Sequence, residues 1–329
     1  MESLQKIIKL PVSILVTPET LSRGYKFKLG NDIGKLHFPI IREYKGKIGM
    51  MAPHTPPAPY FTGVLDKMDE YGTNKSTYWG DNVEANKDRV VVSRVAAVVI
   101  TIDKLLDSYD SARKDIRLLE DHFLQWYGDF SEWLELLSGQ DLGIAPKDKI
   151  TSPDELSSNL WSINIGKVWT NAGPDVTNLN INIKSSRHVI DELILAQAIA
   201  NADIARTVSF EDTLLIDGRR RHNREDFNGS CMYFGQYIEA IARKSIKEYM
   251  DSKSTEVAIV DAFLDSKTLN SLLKDCRKFG LNMGMSKAEE SNVSKIRNIA
   301  AHARTSLTLS YSSDMSRYAN KVYFRCENT

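Results

Sequence analysis

The chain has 329 residues, of which 42% are hydrophobic and 26% charged, the proportions of an ordinary globular protein with room for two domains. Its 43 Lys plus Arg are balanced by 43 Asp plus Glu, so no overall basic field draws in nucleic acid, and a non-specific nucleic-acid coat protein is disfavoured. No run reaches the ~20 apolar residues of a membrane span, and three scattered cysteines (Cys231, Cys276, Cys326) offer neither a disulfide framework nor metal-ligand spacing.

All ten prolines lie between Pro11 and Pro174 and all five tryptophans between Trp79 and Trp169. Proline is excluded from helix interiors, so this partition predicts a β-rich first half and an all-helical second half, divided near residue 184. In the first half Leu10 to Val16 reads as a strand rather than a signal sequence, because it is short and broken by Pro11. Lys35 to Ile41, Arg89 to Thr101 and Leu160 to Trp169 are rich in β-branched or aromatic residues, and Leu179, Ile181 and Ile183 alternate with polar ones. The segment Ala52 to Tyr60 is proline-rich and reads as a loop. Ile116, Leu119, Phe123, Trp126, Phe130, Trp133 and Leu137 recur at helical steps, predicting one long helix from Ser111 to Ser138 that Gly139 ends.

In the second half Val189, Leu193, Ala196 and Ala200 mark a first helix over 187–206. Phe227, Cys231, Phe234, Ile238, Ala242 and Ile246 mark a second over 226–250. The intervening Phe210 to Arg224 is highly charged and reads as a link between helices. After Ser266 a third stripe runs through Leu269, Leu272, Leu273, Cys276 and Phe279 to Gly280. Ser286 and Glu289 have capping-box spacing for the next helix, whose inward side is Val293, Ile296, Ile299, Ala300 and Ala303. A short helix or strand over Ser313 to Phe324 closes the chain.

That penultimate helix reads Ser-Lys-Ile-Arg-Asn-Ile-Ala-Ala-His-Ala-Arg, placing Arg297, Asn298 and His302 on one element. Arg holds a phosphate with a rigid fork of donors, and His moves protons near neutral pH. A phosphodiester is the substrate that suits both. On an ideal helix Asn298 and His302 share a face, whereas Arg297 must curl round to join them. Neither Arg297 nor His302 belongs to the apolar face, so replacing either is expected to leave thermal stability nearly unchanged. Arg304 reads as a helix-end charge.

The Arg-Asn-x-x-x-His run resembles the signature of the HEPN superfamily, helical domains many of which are metal-independent RNases. The order of helices over 185–329 resembles the HEPN bundle too, with Glu239 in Tyr-Ile-Glu-Ala-Ile-Ala matching the family's early-helix glutamate. The expected fold class is therefore α+β: a β-rich domain with one long helix over 1–184, then an all-α HEPN-like bundle over 185–329. The resemblance implies an endoribonuclease with Arg297 and His302 catalytic, Asn298 positioning and Glu239 supporting. It also implies two chains facing across a two-fold axis, so that two imidazoles serve one cleft. No metal or other cofactor enters this scheme.

The run Arg219, Arg220, Arg221, His222 and Arg224 is a second candidate for RNA contact, as a local basic patch. The β-rich half is expected to sense a trigger or restrain the nuclease. The setting implied is cytoplasmic prokaryotic antiviral defence or toxin-type growth arrest, with a trigger protein or antitoxin as partner. The alternative is a non-catalytic HEPN-like module that binds RNA or a partner.

Overall fold

The computed structural model describes residues 3–21, 23–38, 40–44, 47–51, 80–85, 90–103, 109–142, 162–165, 168–170, 189–302 and 306–327. These residues form nine helices and an antiparallel sheet with a separate two-stranded ribbon, an α+β chain. The proline-rich 52–60 segment, the alternating Leu179 to Ile183 run, Ala303 and Arg304 lie outside the described residues. The chain divides into two compact units, Met1–Thr207 and Val208–Thr329.

In the first unit, β1 (Ser3–Val16) and β7 (Val90–Asp103) run antiparallel side by side along the middle of a seven-stranded sheet. Leu4, Ile8, Leu10, Ile14 and Val16 of β1 are buried. Pairing advances from Lys9 to Ile14 on β1 while β7 moves only from Ala97 to Val95. The irregularity brackets Pro11, which has no N–H to give a ladder. The other edge of β7 is shared: β6 (Gly80–Ala85) occupies one stretch, and β3 (Asp32–His37) the next. β2 (Gly24–Leu29) closes a hairpin with β3, and Gly30 at φ +60 supplies the left-handed first residue of its two-residue turn. β8 (Ser162–Ile165) and β9 (Val168–Thr170) extend the sheet beyond β1. β4 (Ile40–Tyr44) and β5 (Lys47–Met51) make the ribbon, so the expected Lys35 to Ile41 strand divides into β3 and β4.

A four-residue helix α1 (Pro18–Leu21) follows β1, and α2 (Tyr109–Ser138) is the long helix anticipated from its aromatic spacing. Leu119, Phe123, Trp126, Phe130 and Trp133 are buried, with Trp126 stacked on Phe27 at 4.1 Å between ring centres. Gly139 stops it at φ +69, donating its N–H to Glu135 O at 2.9 Å.

α3 (Glu192–Asp203), capped by Asp191, belongs to this first unit rather than to the C-terminal bundle. Trp126 Nε1 donates to Asp203 Oδ1 at 2.9 Å, and Trp133 Nε1 donates to Arg206 O at 2.6 Å. Buried indoles need hydrogen-bond acceptors, and the end of α3 supplies them. The boundary therefore falls at 207/208 and not at 184: a lack of proline reports helix, not which core a helix joins.

The second unit is all helical among its described residues: α4 (Phe210–Asn223), α5 (Phe227–Ser252), α6 (Val257–Asp265), α7 (Leu269–Lys278), α8 (Lys287–His302) and α9 (Leu309–Glu327). The long α5 is its centre, with Cys231, Phe234, Tyr237, Ile238, Ala242 and Ile246 buried. Phe210 to Asn223 is a helix and not a link. Ser209 caps it by accepting from Asp212 N at 3.1 Å, acidic Glu211 and Asp212 sit in its first turn, and Arg220, Arg221 and His222 in its last. Those charges complement the helix dipole at each end, which is why the segment looked like a solvated loop. Gly218 lets α4 approach α5 closely, since a Cβ there would stand 2.6 Å from the Phe234 ring. Helix α6 was not anticipated, and α7 is capped by Thr268, in a reciprocal box with Ser271.

Candidate active site

α8 starts at the anticipated box: Ser286 N donates to Glu289 Oε2 at 2.9 Å, and Glu289 N to Ser286 Oγ at 3.3 Å. Val293, Ile296 and Ala300 turn inward, and Ile299 is only half-buried. This orientation fixes where the three motif residues go. Arg297 flanks the buried face, while Asn298 and His302 lie on the exposed side.

Arg297 reaches across to α5. Its Nη2 stands 3.5 Å from Glu239 Oε2, with the two side chains 31% and 19% exposed. Its stem lies over Gly235, where a Cβ would be 2.5 Å from Arg297 Cγ. Glu239 is itself fixed. Arg243 donates to Glu239 Oε1 from Nη2 at 2.9 Å and from Nε at 3.3 Å, and also donates to Leu264 O at 2.8 Å and Lys267 O at 3.1 Å. Gly235, Glu239 and Arg243 are spaced by four, so they form one stripe of α5. Two guanidiniums thus share one carboxylate, leaving a local excess of positive charge. Arg297 Nε is buried and has no hydrogen-bond partner among the described residues.

Asn298 and His302 are exposed, and their side chains make no hydrogen bond or ion pair among the described residues. His302 is the last residue of α8. The motif is therefore brought together only in part: Arg297 is held by Glu239, whereas His302 stands clear of that network.

The arginine-rich run does not present one open basic face. Arg219 Nη2 donates to Asn320 Oδ1 at 2.7 Å, with its guanidinium over Tyr323. Arg220 is buried and pairs with Asp217 at 3.4 Å. Arg221 pairs with Asp226 and lies over Tyr233, and Arg224, the C-cap of α4, is exposed. His222 Nδ1 meets Ser312 Oγ at 2.7 Å, and Ser312 in turn donates to the buried Ser230.

No family model, curated protein or solved structure matches this chain. None of these comparisons bears on the HEPN resemblance read from the sequence.

Cys231 and Cys276 are no nucleophiles: both are buried, and burial pushes each thiol up to about 12. No cluster of three or more metal-ligating side chains occurs among the described residues, and no described helix is long and apolar enough to cross a membrane. The sequence reading missed Gly235 and Arg243. The Glu239–Arg243 spacing of four, an ion-pair spacing on any helix, was the available signal.

Proposed function

We propose that this chain is an endoribonuclease of the HEPN kind, cleaving RNA by attack of the substrate's own 2′-hydroxyl. The observation that carries the reading is the held Arg297, a half-buried guanidinium facing Glu239, on the same helix as an exposed imidazole. A base removes the 2′-hydroxyl proton, and the 2′-oxygen attacks phosphorus. The bond from phosphorus to the 5′-oxygen breaks as an acid protonates that oxygen. The products are a 2′,3′-cyclic phosphate and a 5′-hydroxyl. His302 serves as base or acid, Arg297 stabilises the phosphorane-like charge, and Asn298 positions the phosphate. One imidazole cannot fill both proton-transfer positions, so the active species is a homodimer or even-numbered assembly. The N-terminal unit senses a trigger or restrains the nuclease, and antiviral or toxin-type growth arrest in a prokaryotic cytoplasm is the setting this reading carries.

The test is purified protein on total RNA in EDTA. Cleavage that survives chelation and falls about a hundredfold or more in both His302→Ala and Arg297→Ala fits the assignment. Retained activity in either variant removes that residue from the chemistry.

A second reading is favoured by one observation, the engagement of Arg297 by Glu239. In it the pair is structural and the chain is a non-catalytic module that binds RNA or a partner. Equal RNA binding by wild type and His302→Ala, with no cleavage by either, selects this reading.

A further inference from the structure

The exposed side of α8 carries charge of one sign only. At ~100° per residue, Lys287, Ser291, Lys295, Asn298 and His302 fall within about 80° of azimuth, and all five are exposed. Lys287 and Lys295 make no ion pair among the described residues. The carboxylates of α8 are engaged elsewhere: Glu289 holds Lys321 at 2.7 Å, and the buried Glu290 holds Arg277 at 2.6 Å. The other exposed residues of this flank, Ala288 and Ala301, are small. The stripe is about 22 Å long at 1.5 Å per residue, and it ends at His302.

We propose that this face of α8 is the track on which single-stranded RNA lies, its phosphates passing Lys287 and Lys295 toward His302. The inference rests on the ribonuclease reading for the identity of the ligand. Charge complementarity argues for a polyanion: the face has cations and neutral hydrogen-bonding groups, no free carboxylate and no large apolar side chain that a protein partner would bury. Small residues between the lysines let a backbone approach closely. No aromatic ring on the stripe offers a stacking platform, so binding is through phosphates, tolerant of sequence and steep in salt. The track also replaces the Arg219 to Arg224 run as the main contact surface, because the first three of those arginines are engaged within the fold.

The experiment uses the full chain and a short fluorescein-labelled 2′-O-methyl oligouridine, which lacks the nucleophile and so reports binding without cleavage. Anisotropy titrations across a range of salt compare wild type, Lys287→Glu/Lys295→Glu, the single Lys→Ala variants, Arg224→Glu at the exposed end of the arginine run, and Lys274→Glu, a control lysine on α7. Wild type binds, and the double reversal weakens binding about tenfold or more. Each Lys→Ala lowers the slope of log K against log salt by about 0.7. Lys274→Glu behaves as wild type, with helical circular dichroism preserved throughout. Absence of wild-type binding, an unchanged affinity in the double variant, or a loss confined to Arg224→Glu overturns the track. Cleavage of unmodified RNA is scored separately. Binding that depends on the lysines without cleavage defeats the nuclease reading and leaves the track standing; cleavage without lysine dependence does the reverse.

Discussion

Glu239 on α5 and Arg297 on α8 face each other at 3.5 Å, and the arginine stem crosses the backbone of α5 one turn earlier, over Gly235. The glycine is what allows this path. A Cβ at 235 would stand 2.5 Å from Arg297 Cγ and 3.1 Å from its Cβ, and neither atom belongs to the free end of the side chain. Gly235→Ala is therefore expected to push Arg297 off Glu239. Cleavage should fall steeply in kcat while the helical content stays the same. Unaltered kcat would show that the position of the guanidinium does not matter to the reaction. Arg297→Ala, by contrast, loses an ion pair worth about 1 kcal/mol or less, so its melting temperature should fall by a few degrees. His302→Ala should leave it unchanged.

Much of the fold was legible because periodicity reports burial. The stripes of α2, α5, α7 and α8 were read from spacing, and Gly139, Gly280 and the Ser286–Glu289 box marked ends that the backbone confirms. What was missed had a physical cause in each case. α4 carries its charges at its ends, where they serve the dipole, and so lacked an apolar run long enough to stand out. α3 was assigned to the wrong unit because helical pattern says nothing of which partner a helix meets; the indole N–H groups of Trp126 and Trp133 decide that. At the site, sequence could name Arg297, Asn298, His302 and Glu239. It could not show that Arg297 turns inward and the other two motif residues outward, since that depends on how α8 is rotated against α5.

Acid should weaken the second unit through Glu289. Its carboxylate is held down to about 2, first by Lys321 and then by the backbone N–H of Ser286, against an ordinary value of 4.5. A carboxylate with a lowered folded pKa binds fewer protons than in the unfolded chain, so its contribution is whole above 4.5 and fades as pH falls toward 2. Urea unfolding of wild type and Glu289→Gln across that window should show the two curves converging at low pH. A constant gap between them would mean that the capping box and the Lys321 pair add no pH-dependent stability.

The unit boundary makes a prediction about fragments. Residues 208–329 begin just before the Ser209 cap and contain no tryptophan, so this piece should unfold cooperatively with a helical circular dichroism spectrum. Starting instead at 185 adds α3 without its Trp126 and Trp133 partners. Leu195, Ala198, Ile199 and Ala202, buried in the full chain, would then be exposed. The longer fragment should gain no stability and should self-associate more readily. A higher urea midpoint for 185–329 would place α3 in the bundle after all.

General base and general acid both require a group that exchanges protons near neutral pH, and α8 supplies one imidazole per chain, at its exposed end. His222 is a poor second, because its Nδ1 is committed to Ser312 at 2.7 Å in the last turn of α4. Two copies of His302, brought together across a two-fold axis, would provide both roles with no further residue. Mixing wild type with excess His302→Ala chains, under conditions that exchange subunits, should then suppress cleavage more than dilution does. Every mixed pair has lost one proton-transfer group. Light scattering at the assay concentration supplies the independent check: a fully active monomer would require both proton transfers to be found within one chain, and the two-fold site would have to be abandoned.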